Sequence, residues 1–465
     1  MKTGHSAARV QKTISSNISR RQVLRGGAAG LGLAGLHAMG PTPGLWSASA
    51  ARAQEETRLA FIAGSYESGL VRENLDRFES QYPGLKVDFT PENDGTYLQK
   101  MTVVLSTDGA PVDVMYVGDE QLGTWAEAGW LMPIDDFPET AQYKEDLFPF
   151  NLNAMSYKGK LYGLPYYSDF QIFAYNEEML QAAGFSAPPA TWDEVKTQAM
   201  AAQEAGLVPG PAMVTGFAKN FVNSFQLYWS MVFGSGGDLF DAELNPTFPD
   251  QDPAALAVLE WLIQAMHDWK ILDPASVEMN LDMARDSLAA GQSLFADIAK
   301  YDLQRLNDPE FSQIAGLGKM APFPKFSADQ PGGSLGWARM HSIPTISKHP
   351  DEAWKLLQYA GGKDAEGEYY TSKRWYVLKG LGFGWEPLLD DSEVIETTAK
   401  WGDLDLIRKE SALVKGRQVL QTSWYPEWEQ FFWSQLQDAL LQKTPPRDAL
   451  QASADKAVEL KEAAP

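Results

Sequence analysis

The chain has 465 residues and no cysteine, and 61 acidic residues outnumber 39 basic ones, which gives a formal charge of −22. Its length indicates two or three globular units, and its negative charge argues against nucleic acid or an anionic membrane surface as a partner. A composition of 44% hydrophobic and 22% charged residues excludes a largely disordered chain or a membrane bundle, and the lack of cysteine excludes disulfides, thiol nucleophiles and thiolate metal sites.

Residues 1–53 have the composition of a cleaved export signal. They contain seven Lys or Arg and no Asp or Glu, and a short apolar run at 26–39 follows the basic stretch. Ala51-Arg52-Ala53 then supplies the small residues of a signal peptidase site. Ser19-Arg20-Arg21-Gln22-Val23-Leu24 resembles the twin-arginine export motif, but Val23 differs from its commonest residue, so export by the Sec route stays open.

Cleavage after this signal would leave 32 basic and 61 acidic residues, a formal charge of −29. No later stretch has the length of a transmembrane helix, and a lipoprotein anchor would need a cysteine. We therefore predict a mature protein that is secreted across the inner membrane into the periplasm, soluble and without a lipid anchor.

The first elements after the signal alternate between strand and helix patterns. Buried strands are predicted at 59–64, 85–89 and 112–117, and helical spacing of apolar residues predicts helices at 71–82 and 97–105. This order indicates a βαβαβ unit with a parallel sheet and an α/β fold class.

Later elements continue the α/β pattern. Thr191 and Glu194 match the capping-box pattern, with Thr191 as the expected N-cap and Glu194 expected to bond back to it, which predicts a helix ending near Gly206. Further helices are predicted at 253–268, where one face is apolar, and after Pro350, which suits a first helical turn. From Trp424 onward the chain is predicted to be helical and rich in aromatic residues.

Four passages carry a resemblance to a known family. They are Leu105-Ser-Thr-Asp-Gly-Ala-Pro-Val-Asp-Val114, Trp125-Ala-Glu-Ala-Gly-Trp-Leu-Met-Pro-Ile-Asp135, Gly159-Lys-Leu-Tyr-Gly-Leu-Pro165 with the following Tyr175-Asn-Glu-Glu178, and the stretch 183–195 with Gly-Phe, Pro-Pro and Thr-Trp-Asp-Glu-Val. In this order they resemble the extracellular solute-binding family of ABC importers, which includes the maltose-binding and related sugar-binding proteins.

This resemblance implies a two-lobed periplasmic-binding-protein fold of type II, like that of the maltose-binding protein. Several crossovers of the chain would form the hinge, near 161–169, 294–300 and 336–343. Lobe one would then comprise 58–167 with 299–337, and lobe two 168–298 with 338–465. The protein would capture a small solute between its lobes, close around it, and deliver it to the membrane permease of the importer. We expect a monomer that binds no nucleic acid.

A sugar is the ligand that the residues suit best, because aromatic rings pack on its C–H faces and polar groups bind its hydroxyls. Aromatic candidates lie where strands or crossovers end, with Gly237 beside one of them. These candidates are Tyr66, Tyr167, Trp229, Gly237, Tyr301, Trp337 and Trp375. By the family pattern, the polar partners would be Glu67, Asp94, Asp119, Asp169 and Arg339. Core packing is the competing expectation for Trp229 and Tyr301, a helix N-cap for Asp119, and a turn for Asp94.

A secreted carbohydrate-active enzyme is the alternative from another class. It would need two carboxylates across the scissile bond, but 61 acidic residues make such a pair available by chance. No His-Glu-x-x-His motif occurs, and His267, His341 and His349 are spaced unlike metal ligands. We therefore expect no catalytic residue, no cofactor and no metal. Glycerol phosphate, acidic sugars, polyamines and ferric iron remain alternative ligands within the same fold.

Overall fold

The computed structural model describes residues 56–107, 109–218 and 225–464. The predicted export signal at 1–53, with its twin-arginine motif and cleavage site, lies outside these ranges. Within them, no helix combines the length and the apolar character needed to cross a membrane.

The described residues form ten strands. In chain order they are β1 (Thr57–Gly64), β2 (Leu85–Glu92), β3 (Val114–Gly118), β4 (Ser156–Tyr157), β5 (Lys160–Leu161), β6 (Leu164–Asn176), β7 (Met213–Val214), β8 (Phe295–Ala299), β9 (Gly318–Ala321) and β10 (Gly336–Ser342).

Seventeen α-helices accompany the strands in the described part of the chain. They are α1 (Ser68–Gln81), α2 (Asp94–Thr107), α3 (Asp119–Glu127), α4 (Thr140–Asp146), α5 (Pro149–Ala154), α6 (Glu177–Ala182), α7 (Trp192–Glu204), α8 (Gln226–Gly234), α9 (Ala254–His267), α10 (Leu281–Ala289), α11 (Asp302–Leu306), α12 (Pro350–Gly361), α13 (Tyr370–Lys379), α14 (Ser392–Thr398), α15 (Leu404–Ser411), α16 (Tyr425–Leu440) and α17 (Pro446–Ala463). Short 3₁₀ helices lie at Pro274–Val277, Glu386–Asp390 and Gln418–Gln421.

The N-terminal unit has the predicted parallel arrangement. β1 pairs in parallel with β2 along its whole length and with β3 on its other edge. Apolar residues of α1 pack on this sheet, and Leu75 and Phe78 are fully buried. The βαβαβ prediction is therefore confirmed, because the period of the apolar residues in each segment was sufficient to identify its type.

The capping box at α7 forms with one difference. Thr191 Oγ1 accepts a hydrogen bond from Glu194 N at 3.2 Å, as predicted. The Glu194 carboxylate, however, accepts from the backbone N–H of Ala190 at 2.6 Å, one residue before the N-cap. The helix start is stabilised by the same two side chains, but the reciprocal bond reaches further back along the chain.

One long strand joins two halves of the sheet. The strand order is β2-β1-β3-β10-β6-β8-β7, and β9 also pairs with β6. The first part of β6, from Leu164 to Phe170, is antiparallel to β10, whereas Gln171 to Tyr175 is antiparallel to β8. The chain therefore crosses between the two halves at the junction of Phe170 and Gln171, within the sheet itself.

The strand pairing differs from the predicted division into lobes. β9 lies in the range 299–337 that was expected to join lobe one, but it pairs with residues 173–176 in the second half. Conversely, β10 continues past 338 and pairs with β3 in the first half, where α12 also packs. The reason is that both halves have the same α/β alternation, so periodicity does not indicate to which half a later strand returns.

Two large apolar clusters of buried residues form most of the core. The first surrounds β1 and β3 and includes Phe78, Trp125 and Tyr359. The second surrounds Trp229 and Trp428, where α8, α9, α16 and α17 pack. The C-terminal helices predicted from Trp424 onward thus contribute to the core of the second half.

Candidate ligand-binding site

A cavity of about 530 Å³ opens at the carboxyl end of β1. Open α/β sheets place ligands beyond the carboxyl ends of their strands, and pockets for small molecules have volumes of about 300–1,000 Å³. The size and position of this cavity therefore suit a small-molecule site. Its walls come from the sheet, from helices of the first half, and from α10 and α11 next to β8.

The floor of the cavity is an aromatic face of the sheet. Phe61, Tyr116, Tyr166 and His341 lie on β1, β3, β6 and β10 and line the cavity together. The His341 ring packs edge-on against Phe61 at 5.0 Å and stacks on Tyr166 at 5.0 Å between ring centroids. Burial lowers the pKa of His341 to about 3, so this ring is neutral at physiological pH. The floor is therefore aromatic and uncharged.

Two further aromatic residues form a platform at the mouth. Tyr66 follows β1 and stacks on Trp375 of α13 with ring centroids 6.3 Å apart. Trp375 also packs edge-on against Tyr166 at 5.3 Å, which fixes its orientation. Tyr66 is 49% exposed whereas Trp375 is 2% exposed, so the platform has one open face. Such a pair presents a flat apolar surface to a ligand that enters the cavity.

One wall of the cavity is charged. Arg285 of α10 contacts Asp282 at 2.6 Å and Asp302 at 2.8 Å, both through Nη1, and all three residues line the cavity. Burial raises the pKa of Asp302 to about 6, although the Arg285 charge opposes this shift. Because Arg285 is held on several sides, the wall presents carboxylate and guanidinium groups in a fixed orientation.

The structure brings four of the predicted residues to this cavity: Tyr66, Tyr167, Tyr301 and Trp375. Glu67 lies at its edge, where Oε1 accepts a hydrogen bond at 2.6 Å from Lys379, a residue of the cavity wall. Burial raises the pKa of Tyr167 to about 12, so its hydroxyl keeps its proton and can donate a hydrogen bond.

Asp119 and Arg339 do not line the cavity. Asp119 Oδ1 lies 2.6 Å from Arg339 Nη1, and Oδ2 accepts a hydrogen bond from Ala338 N at 2.9 Å. Glu120 also contacts the same Arg339 nitrogen at 2.8 Å. These charges pair with one another inside the protein, and ligand binding by Asp119 and Arg339 stays a prediction.

Asp169 and Trp337 lie where the strands cross and do not line the cavity. Asp169 is 2% exposed and its carboxylate accepts hydrogen bonds from Phe170 N and Gly382 N, with Lys300 Nζ 3.4 Å away. Trp337 is opposite Asp169 in the sheet and packs edge-on against Tyr301. Trp337 therefore reaches the cavity only through Tyr301.

The remaining candidates are elsewhere. Trp229 is 1% exposed and packs against Trp428 and Phe432 in the second apolar cluster. The structure therefore matches the alternative expectation, in which Trp229 packs in the core. Gly237 is buried next to Asp252, where a Cβ atom would lie 2.5 Å from a carboxylate oxygen. Asp94 is the first residue of α2, and its part in ligand binding stays a prediction.

The sequence did not single out Tyr116, Arg285 or Asp302 for ligand binding. Asp302 follows Tyr301 at the end of β8, so the strand-end rule that selected Tyr301 also pointed to its neighbour. Tyr116 needed the strand order, because it meets Tyr166 only across β10. Arg285 had no local signal, since its role depends on Asp302, 17 positions later in the chain.

Residues 332–336 have the Gly-x-Ser-x-Gly spacing of a hydrolase nucleophile, but their structure does not suit that role. Ser334 is 2% exposed and donates a hydrogen bond to Gln171 O at 2.6 Å. The segment runs directly into β10 instead of turning from a strand into a helix. Across the described ranges, no group of three or more His, Cys, Asp or Glu residues is placed to hold a metal ion.

Comparison with known proteins identifies the family. A family model described as bacterial extracellular solute-binding protein matches residues 63–367. The chain belongs to this family. Its members are solute-binding proteins of ABC transporters, and their activity is binding. A curated relative, a binding protein described as putative in Brucella abortus (strain 2308), is 24% identical over 315 residues, which is 68% of this chain and 74% of the relative.

Solved structures show the same fold. Maltose-bound MalE3 of T. maritima superposes with a TM-score of 0.73 at 18% identity, covering 87% of this chain and 99% of that protein. A solute-binding protein from Agrobacterium vitis S4 with bound D-mannitol superposes with a TM-score of 0.68 at 20% identity, covering 87% and 99%. The predicted two-lobed α/β fold is thereby confirmed.

Proposed function

We propose that this solute-binding protein captures a sugar or sugar alcohol in the cavity at the end of β1. The observation that carries this proposal is that one cavity is lined both by the stacked rings of Tyr66 and Trp375 and by the Arg285–Asp302 ion pair. A sugar ring has C–H patches on its faces and hydroxyls around its rim, so it needs both kinds of wall in one pocket.

The charged wall suits neutral hydroxyl groups. A carboxylate accepts hydrogen bonds from two adjacent hydroxyls, and a guanidinium donates to their oxygens, so Asp282, Asp302 and Arg285 offer complementary partners. Because Arg285 is already paired with Asp282 and Asp302, its charge is compensated without a ligand. Around Arg285, this compensation favours the neutral hydroxyls of a polyhydroxylated solute over a ligand group that brings a full charge of its own.

The fold relatives support the same class of ligand. The T. maritima structure contains maltose and the A. vitis structure contains D-mannitol. One of these ligands is a disaccharide and the other is an open-chain polyol, so the shared fold accommodates hydroxyl-rich solutes of different shape. The volume of about 530 Å³ in this chain is within the range for ligands of this size.

We further propose that the protein acts as a monomer in the periplasm and delivers its ligand, unchanged, to the permease subunits of an ABC importer. The basic N-terminal segment with its Arg20-Arg21 pair supports export, and membership of the family supports the permease partner. A ligand that touches both halves stabilises only their closed arrangement, so ligand binding would shift the population to the form that the permease recognises.

A ligand screen tests the proposal directly. Purified mature protein is heated with D-mannitol, ribitol, D-tagatose or maltose, and we expect at least one to raise the unfolding temperature in proportion to the logarithm of its concentration. Calorimetry should then give a single site, chromatography of the mixture should recover the sugar unaltered, and small-angle scattering should show contraction. Binding of none of these solutes, or conversion of one into a product, would contradict the proposal.

A further inference from the structure

Three segments of the chain meet at Asp169. On β6, Asp169 lies opposite Trp337 of β10, and the next residue, Phe170, accepts a backbone hydrogen bond from Lys300 N at 3.0 Å. Lys300 directly follows β8. The strands that pass between the two halves of the sheet therefore converge on the Asp169–Lys300 pair.

Both side chains hold a fourth segment, the turn that follows α13. Lys300 Nζ donates a hydrogen bond to Gly380 O at 2.8 Å, and Asp169 Oδ2 accepts one from Gly382 N at 2.9 Å. The two charges lie 3.4 Å apart, and their side chains are 3% and 0% exposed. Neither side chain reaches the cavity, so neither is placed to bind the ligand itself.

The two glycines of the turn have no space for a side chain. Gly380 has φ +69°, and a Cβ atom there would lie 2.8 Å from Tyr301 O. A Cβ atom on Gly382 would lie 2.0 Å from Ser168 O. The backbone of the turn is thus pressed against the crossing strands, and it adopts a conformation that favours glycine.

The same turn forms part of the cavity wall. Lys379 and Leu381, on either side of Gly380, line the cavity, as does Trp375 one helical turn earlier. Any movement of the turn relative to the strands would therefore move the aromatic platform and the mouth of the cavity. This connection joins the junction of the two halves to the surface that a ligand contacts.

We propose that Asp169 and Lys300 are positioning residues that fasten the turn at 379–382, and with it the Trp375 wall, to the strands that cross between the halves. The part of this inference that concerns affinity rests on the proposed function. A hydrogen-bonded ion pair suits such a task because, unlike an apolar contact, it fixes direction as well as distance.

Hydrogen exchange measured without ligand tests whether Asp169 and Lys300 hold the turn at 379–382. The double variant Asp169→Asn/Lys300→Met removes both charges together, so no uncompensated charge remains buried. We expect its amides at 375–385 to exchange about tenfold faster than in the wild type, because the Lys300 bond to the turn is lost. Unchanged exchange at 375–385, or equal acceleration throughout the protein, would overturn the inference.

Asp113→Asn is the matched control. Asp113 is also a buried carboxylate that joins two segments, since it accepts hydrogen bonds from Ala60 N at 2.8 Å and from Ser347 Oγ at 2.7 Å. It lies outside both the junction and the cavity lining. We expect this variant to unfold at a lower temperature while exchange at 375–385 stays at the wild-type rate. A purely structural role for Asp169 and Lys300 would make the two variants behave alike.

Binding measurements with D-mannitol and maltose as probes test whether the turn at 379–382 affects ligand binding in the cavity. The double variant should bind its probe about tenfold more weakly, and Asp113→Asn should bind like the wild type. Faster exchange with unchanged affinity would refute the link between the turn and the ligand. If the wild type binds neither probe, the proposed function is contradicted, and the exchange experiment alone decides whether Asp169 and Lys300 hold the turn.

Discussion

Asp119 and Arg339 form a buried ion pair at 2.6 Å between the start of α3 and the middle of β10. Both side chains are less than one-tenth exposed, and the second Asp119 oxygen accepts a hydrogen bond from Ala338 N. The pair therefore fastens α3 to the strand that crosses towards the second half of the sheet. Its strength should appear in the stability of the fold.

Replacing Arg339 by methionine should lower the free energy of unfolding by about 3–5 kcal/mol, because Asp119 and Glu120 would remain buried without their cation. Urea unfolding of the purified variant measures the change. Arg58→Met is the control, since Arg58 pairs with Glu56 and Asp88 at the surface, where its side chain is 57% exposed, and its loss should have little effect. If Arg339→Met lowers the free energy of unfolding no more than the small loss expected for Arg58→Met, the buried pair is not stabilising.

Tyr66→Ala should weaken ligand binding by about 1.5–3 kcal/mol, roughly ten- to a hundredfold in Kd, because the open face of the aromatic platform is lost. Tyr66 is 49% exposed, so the unfolding temperature should change little. Leu378→Ala is a matched control: Leu378 is also 49% exposed and lies beside Lys379, but it does not line the cavity. Calorimetry should show normal affinity for this control, and a similar loss in both variants would argue against the platform.

Asp297 makes the free energy of unfolding depend on pH. It is completely buried on β8, where Oδ2 accepts hydrogen bonds from Gln171 and Thr215, and burial raises its pKa to about 7. The folded state holds the proton of the Asp297 carboxyl more tightly than the unfolded state does. The contribution of Asp297 to the free energy of unfolding is therefore greatest at low pH and falls as the pH rises from about 4 to 7.

Asp297→Asn should therefore raise the free energy of unfolding by on the order of 2–4 kcal/mol at pH 8, with a much smaller gain at pH 5. Thermal unfolding of both proteins at the two pH values measures this difference. Because other buried acids also titrate in this range, the quantity to compare is the variant minus the wild type. A difference that does not depend on pH would show that Asp297 is ionised in the folded protein throughout.

Gly123 permits the closest approach between α3 and the 3₁₀ helix Gln418–Gln421. A Cβ atom on Gly123 would lie 2.0 Å from Gln421 O, so Gly123→Ala must displace backbone and should cost about 1–3 kcal/mol. We also expect scattering of the variant to show an expanded particle if the two segments separate. Gly69→Ala is the control, because Gly69 lies on the exposed side of α1 and nothing lies within 4 Å of its Cβ position, and alanine there should be neutral or slightly stabilising.

The local elements were predictable because their signals are local. Short apolar runs identified β1 and β3, apolar residues at helical or alternating spacing identified α1, β2 and α2, and Thr191 marked the start of α7. Tyr66 and Tyr301 were predictable site candidates because each follows a strand, at the edge where ligands bind. The ordered motifs between 105 and 195 were sufficient for the family, since its model matches 63–367.

Which polar groups line the cavity was decided only by the tertiary structure. A carboxylate after a strand looks the same in sequence whether its partner is a sugar hydroxyl or an arginine 220 positions away, as for Asp119. The cavity floor likewise exists only because β10 brings His341 between Phe61 and Tyr166. Periodicity records which face of a segment is apolar, whereas the partner of that face depends on strand order and long-range packing, which no local pattern contains.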